Sequence, residues 1–163
     1  MRNLTMMTDL YQLTMMNGYF KHGMKDNIAV FDLFFRPLMN HSVYAVMAGL
    51  EQALEYVENL HFSEEDLDYL RSLNIFGEDF LDYLRNFKFS GEIYAVEEGT
   101  PVFPREPLIR VKAPIMEAQL METALLNIIN HQTLIATKAS KVVTAAEGKR
   151  VLEFGLRRAQ GPD

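Results

Sequence analysis

Two adjacent arginines, Arg157 and Arg158, are the side chains best suited to chemistry in this sequence. They follow Val151-Leu152-Glu153-Phe154, a mostly apolar run with the composition of a buried strand, and Gly155, which breaks it. A guanidinium is a planar fork that donates two parallel hydrogen bonds to phosphate oxygens, and its charge does not titrate away. In β/α barrels and open α/β sheets, ligands sit beyond the carboxyl ends of the strands. A strand that ends in glycine and then presents two guanidinium groups therefore fits a phosphate grip. Taken alone, the pair reads equally well as surface charge. Glu153, inside the same run, reads as a catalytic acid or equally as a paired buried carboxylate. A barrel cannot close from one strand, so the chain is expected to be the front part of something larger.

The other reactive side chains point to less. The acids Glu64, Glu65, Asp66 and Asp68 cluster as a divalent-metal site would, but acids in a first helical turn ordinarily serve the helix dipole and solubility. His22, His41, His61 and His131 are scattered, lack partners at metal-ligand spacing, and read as structural or exposed. There is no cysteine, which excludes a disulfide framework, a thiolate nucleophile and a thiolate metal site. Met6, Met7, Met15 and Met16 read as core or interface filler.

Composition narrows the partners. Apolar residues make up 48% and charged residues 23% of the 163, as in a soluble globular protein. Sixteen basic against 22 acidic residues leave a net charge of −6, which gives no electrostatic case for nucleic acid or an anionic membrane. An anion would have to bind a local basic pocket against an acidic background. The amino terminus lacks the apolar core of a signal peptide, and no run reaches membrane-span length. A cytoplasmic, reducing compartment is the default.

The elements that must position these residues are legible in order. Thr8 is placed to cap a helix with Leu10, Leu13, Asn17 and Phe20 on one stripe, ended by Gly23. Ile28 to Phe35 reads as a strand, and Val43 to Met47, after a polar loop at Asn40-His41-Ser42, as a second. Gly49 opens a helix with Leu50, Leu54, Val57 and Leu60 inward. Ser63 and Asp66 form a capping-box pattern ahead of Leu67, Leu70 and Leu73, and Glu78 to Phe87 is a further helix. From Gly91 to Val111 the period changes to two, predicting a small β-module with strands at 92–96, 102–103 and 108–111, which Pro101, Pro104 and Pro107 keep short or at edges. Pro114 begins a helical region, with a second helix from about His131 to Ala146. Ala136, Thr137, Ala139 and Ser140 would let another helix come close. These patterns predict α/β or α+β, with residues 1–112 as an amino-terminal mixed domain and 113–163 as paired helices leading into a first strand. Periodicity does not reach a reaction.

Four blocks in order carry a resemblance that does. Thr8-Asp9-Leu10-Tyr11-Gln12-Leu13-Thr14-Met15 resembles the amino-terminal signature of nicotinate phosphoribosyltransferases. Phe103-Pro104-Arg105-Glu106-Pro107-Leu108 is similar to that family's FPGEPL turn, with arginine where glycine is usual. Glu122-Thr123 through Asn127, then Gln132 through Ala139, resembles the paired helices preceding its barrel, and the terminal EFGLRRAQGPD is the strongest match. At His41-Ser42 the family often has a glycine pair, a departure that bears on loop shape.

The resemblance implies an α+β domain leading into the first strand of a type II phosphoribosyltransferase barrel that is incomplete here. It implies an ATP-coupled, ligase-type phosphoribosyltransferase of NAD biosynthesis. Nicotinate would attack phosphoribosyl pyrophosphate to give nicotinate mononucleotide and pyrophosphate, with Mg²⁺ and ATP as cofactors and a homodimer as the assembly. Arg157 and Arg158 match the family's phosphate- and substrate-contacting arginines, and Tyr11 matches the aromatic that stacks on nicotinate. Without the resemblance, Tyr11 reads as a packing residue. The family's phosphorylated histidine is expected beyond Asp163, so none of the four histidines takes that role, and this chain alone is expected to be inactive. The alternatives are a nicotinamide or quinolinate phosphoribosyltransferase, and a non-catalytic module that self-associates through the Met121–Val143 helices.

Overall fold

The computed structural model describes residues 3–36 and 43–159; the expected loop at His41-Ser42 lies outside them. The elements run α1 (Leu10–Lys21), β1 (Ile28–Leu33), β2 (Ala45–Val46), α2 (Leu50–Glu58), α3 (Glu64–Ser72), α4 (Glu78–Arg85), β3 (Glu92–Ala95), β4 (Pro101–Val102), β5 (Ile109–Pro114), α5 (Ile115–Leu120) and α6 (Glu122–Ala145). A single 3₁₀ turn at Leu156–Arg158 follows.

The strands form two antiparallel sheets, ordered β1-β5-β3 and β2-β4. The expected β-module is therefore split: β3 and β5 share a sheet with β1 from the far end of the sequence, and β4 pairs with β2. Alternation along β5 explains the layering. Ile109, Val111 and Ala113 are buried, whereas Arg110 and Lys112 face out and pair with Asp32 of β1 and Glu92 of β3. Beneath the inner face lie α5, α1 and the bulk of the core, with Leu13, Met16, Met116 and Leu120 almost fully enclosed.

α1 starts one residue later than expected. Asp9 occupies the cap position in extended conformation, and the Thr8 hydroxyl is buried without a partner. The inward face carries Gln12, Leu13, Met16 and Asn17, while Leu10 is half exposed. On α2, too, the inward residues are Ala53, Tyr56 and Val57, and Leu54 points outward.

α3 follows its local code. The Ser63 hydroxyl accepts from the Asp66 amide at 3.2 Å, and the Asp66 carboxylate accepts from the Ser63 amide at 2.8 Å, completing the capping box. Glu64, Asp68 and Glu78 nearby are also engaged. Glu64 accepts a two-pronged bond from Arg85, and Asp68 and Glu78 share Arg71, so these residues clasp α3 to α4 instead of converging on a metal. Across this pair Leu67, Leu70, Phe80, Leu81 and Leu84 are fully buried, joined by edge-on contacts of Phe20 with Phe80 and of Phe62 with Phe87.

α6 runs unbroken from Glu122 to Ala145, where the sequence suggested a second helix beginning near His131. The polar stretch Asn130-His131-Gln132 does not interrupt it, because Gln132 donates to Gln52 at 2.9 Å across to α2. The small, hydroxylated face of α6 meets β2, not another helix. Thr137 Oγ1 accepts from the Val46 amide at 2.9 Å, and Thr133 Oγ1 exchanges bonds with Ala48. Helix hydroxyls thus satisfy edge groups that a further strand would otherwise pair. Gly49 permits this approach: its φ is 99°, and a Cβ there would lie 2.9 Å from Gln132 Cβ. Its amide and that of Leu50 donate to Glu98 Oε1 at 2.6 and 2.7 Å, which caps α2.

The expected strand at Val151–Phe154 does not form. Everything from Lys141 to Ala159 except Ala146 and Gly155 is classed as exposed, and Phe154 is 81% exposed. Strand-forming residues need a ladder partner, and among the described residues none is paired with this run.

Candidate functional site

Tyr11 sits in the first turn of α1, beside the point where α5 gives way to α6 at Met121. The residue is 47% exposed, yet its hydroxyl is held from two sides. It donates to Glu122 Oε1 at 3.2 Å and accepts from Gln12 Nε2 at 3.1 Å. Gln12, fully buried, also reaches Glu122 Oε2 at 2.9 Å and Thr123 Oγ1 at 3.3 Å, and its Oε1 accepts from Gln119 Nε2 at 3.0 Å. Thr123 Oγ1 in turn donates to Asp9 Oδ2 at 3.4 Å. Partial desolvation first, and then the Glu122 charge, hold the Tyr11 phenol above its ordinary value.

Beside this cluster a cleft of about 300 Å³ opens between β1 and the α5–α6 junction, lined by Phe31, Val111, Gln119, Met121, Glu122 and Leu126, among others. A second cavity of about 330 Å³ continues along α6 past Leu126, Ile129 and Leu134, with Arg36 at its rim. Both are mostly apolar with a few convergent polar groups, the usual make-up of a small-molecule site.

Arg157 and Arg158 lie in the 3₁₀ turn, both exposed, with no carboxylate within ion-pair distance among the described residues. The turn is closed by the Arg158 amide donating to the Gly155 carbonyl at 2.7 Å. Among the described residues nothing occupies their guanidinium groups, and no hydrogen bond joins them to Tyr11. Glu153 accepts from the Gly155 amide, a local bond that makes it a turn-former in this chain. His22 and His61 bond to nearby carbonyls, Gly18 at 2.8 Å and Asn59 at 2.7 Å, and His131 is half-buried on α6. His41 lies outside the described residues. Met16 is core, Met6 and Met7 pack against the core, and Met15 is 41% exposed.

Sequence reading missed Gln12, Gln119 and Glu122 as partners of Tyr11. The contacts span more than a hundred residues, and no local period encodes them. Gln12 and Glu122 stood in two of the resembling blocks, which was the only available signal.

Comparison with known proteins gives a consistent result. Residues 6–130 match the nicotinate phosphoribosyltransferase N-terminal domain family. The chain is 50% identical over 161 residues to a nicotinate phosphoribosyltransferase of Bacillus subtilis, covering 99% of this chain and 33% of that protein. It is 46% identical over 156 residues to one from Mycobacterium tuberculosis, covering 96% of this chain and 34% of the relative. The crystal structure of human nicotinic acid phosphoribosyltransferase superposes with a TM-score of 0.87 at 37% identity, over 96% of this chain and 32% of that one. The chain thus spans about a third of the length of the relatives it matches.

Proposed function

This chain belongs to the nicotinate phosphoribosyltransferase family, and we propose that it forms the amino-terminal part of an enzyme that makes nicotinate mononucleotide for NAD biosynthesis. In that reaction the pyridine nitrogen bonds to the anomeric carbon of phosphoribosyl pyrophosphate as the carbon–oxygen bond to pyrophosphate breaks. The nitrogen's lone pair forms the new bond, and pyrophosphate leaves with the electrons of the old one. Such a sugar centre becomes cationic in the transition state, so the protein's task is to orient the ring and stabilise the departing anion.

The observation that carries this reading is Tyr11: a half-exposed aromatic residue whose hydroxyl is fixed by the buried Gln12 amide and the Glu122 carboxylate, in the block that matches the family signature. Its face would stack on nicotinate, a contact contributing about 1 kcal/mol beyond burial. Arg157 and Arg158 would grip the phosphate groups once Val151–Phe154 is paired in a barrel with further sequence. A homodimer in the cytoplasm and ATP coupling belong to the same proposal. So does Mg²⁺, for which the described residues offer no converging set of His, Asp or Glu.

Thermal protection tests the substrate class. Nicotinate together with phosphoribosyl pyrophosphate should raise the melting temperature of the complete enzyme, because a ligand stabilises what it binds. Nicotinamide and quinolinate should raise it less. Equal or greater protection by either would assign the site to that pyridine. No protection by any, with a mass that grows with concentration, would favour a self-associating module.

A further inference from the structure

Tyr11 is tied down more firmly than its exposure requires. A packing tyrosine buries its ring, and its hydroxyl finds a partner where the ring is buried. Here the residue is 47% exposed, yet its hydroxyl donates to Glu122 and accepts from the buried Gln12. Gln119 is 7% exposed and fixes Gln12, which is 0% exposed. Gln12 then bonds both Tyr11 and Glu122, and Glu122 closes the triangle back to the phenol. The ring is thus tethered at the backbone of α1 and again at its far end, to the first residue of α6.

We propose that Glu122 and Gln12 are positioning residues that hold the Tyr11 ring in the plane on which the pyridine stacks. This rests on the reading of Tyr11 as the pyridine-stacking residue. A ring fixed in advance loses no rotamer freedom when the ligand arrives, so the benefit belongs to ligand affinity and not to the chemical step. Gln12 is enclosed in the core, which leaves Glu122, exposed at a helix start, as the residue to probe.

The test is steady-state kinetics of the complete enzyme with Tyr11→Ala, Tyr11→Phe, Glu122→Ala, Glu122→Gln and the Tyr11→Phe/Glu122→Ala pair. Glu122→Ala should raise KM for nicotinate roughly 3- to 10-fold, the loss expected for one hydrogen bond. Both kcat and KM for phosphoribosyl pyrophosphate should stay within about twofold. Glu122→Gln should do less harm, because its amide oxygen still accepts from the phenol. Once Tyr11→Phe has removed the hydroxyl, adding Glu122→Ala should change nicotinate KM by less than about twofold. Should Glu122→Ala not fold, Tyr11→Phe alone carries the test and should raise nicotinate KM about 3-fold. An undiminished effect of Glu122→Ala beside Tyr11→Phe would overturn the proposal. So would a normal KM in Glu122→Ala or Tyr11→Phe while Tyr11→Ala raises it. An unchanged KM in Tyr11→Ala would remove the stacking reading, and the proposal with it.

Discussion

Arg105 shows how a single residue can run against its own backbone. The Glu106 amide donates to the Phe103 carbonyl at 3.2 Å, closing a tight turn with Pro104 at the second corner and Arg105 at the third. Arg105 takes φ 70°, the left-handed region that type II turns reserve for glycine. The turn is held by the Arg105 amide on the Phe35 carbonyl at 3.0 Å and by Glu106 Oε2, which accepts from the Phe103 amide at 2.9 Å. A side chain in this conformation costs about 1–2 kcal/mol, and glycine returns some of that through the greater freedom of its unfolded chain. Arg105→Gly should therefore stabilise the domain by about 0.5–1 kcal/mol, a rise of roughly 1–4 °C in Tm on thermal denaturation. A drop would mean that the guanidinium makes up for the backbone strain. At this scale the sequence was informative wherever the code is local. The Ser63–Asp66 box is an i, i+3 pattern and was readable. The bond from Tyr11 to Glu122 joins two distant helices and was not.

Elements form where local preference finds a tertiary partner. β5 is central because both of its edges are paired, by β1 and β3, and the β1 pairing, across some eighty residues, is what hid the sheet from a reading by windows. α6 looked divided because its middle is polar, yet those polar groups bond across to α2 and to the chain around β2. Val151–Phe154 has strand composition and no strand beside it. The α3–α4 hairpin makes a prediction of its own. Hydrogen bonds from Arg85 and Arg71 hold the Glu64 and Glu78 carboxyls below their ordinary range. A carboxyl depressed in the folded state stabilises the fold at pH above its unfolded value, here 4.5, and loses that contribution as pH falls through its folded value. The pairs are exposed, so the effect is small and screened by salt. Urea midpoints of the native protein and of Arg71→Gln/Arg85→Gln should differ at neutral pH and converge as pH drops below about 4.5. Curves that stay parallel down to pH 3 would assign the clasp no part in acid stability.

On the scale of the molecule, two regions differ in kind. Residues up to about Ser140 enclose a continuous core, with the sheets, α1 and the α3–α4 hairpin around it. Beyond, α6 projects, and Val142, Val143, Leu152, Phe154 and Leu156 are all about half exposed or more. An apolar surface of this kind marks a place for further structure. Arg157 and Arg158 sit at its end, and their charge stands out in a chain of net charge −6. Their position after a run of strand composition and a glycine is a contiguous pattern and was readable in the sequence. Their geometry toward a ligand was not, because it depends on a sheet that these residues alone do not build. The most direct measurement is kcat/KM for phosphoribosyl pyrophosphate in the complete enzyme with both Arg157→Gln and Arg158→Gln. Loss of two charge-assisted contacts should lower it by at least about a hundredfold, with the melting temperature of the free enzyme little changed. A value equal to that of the unsubstituted enzyme would contradict the account.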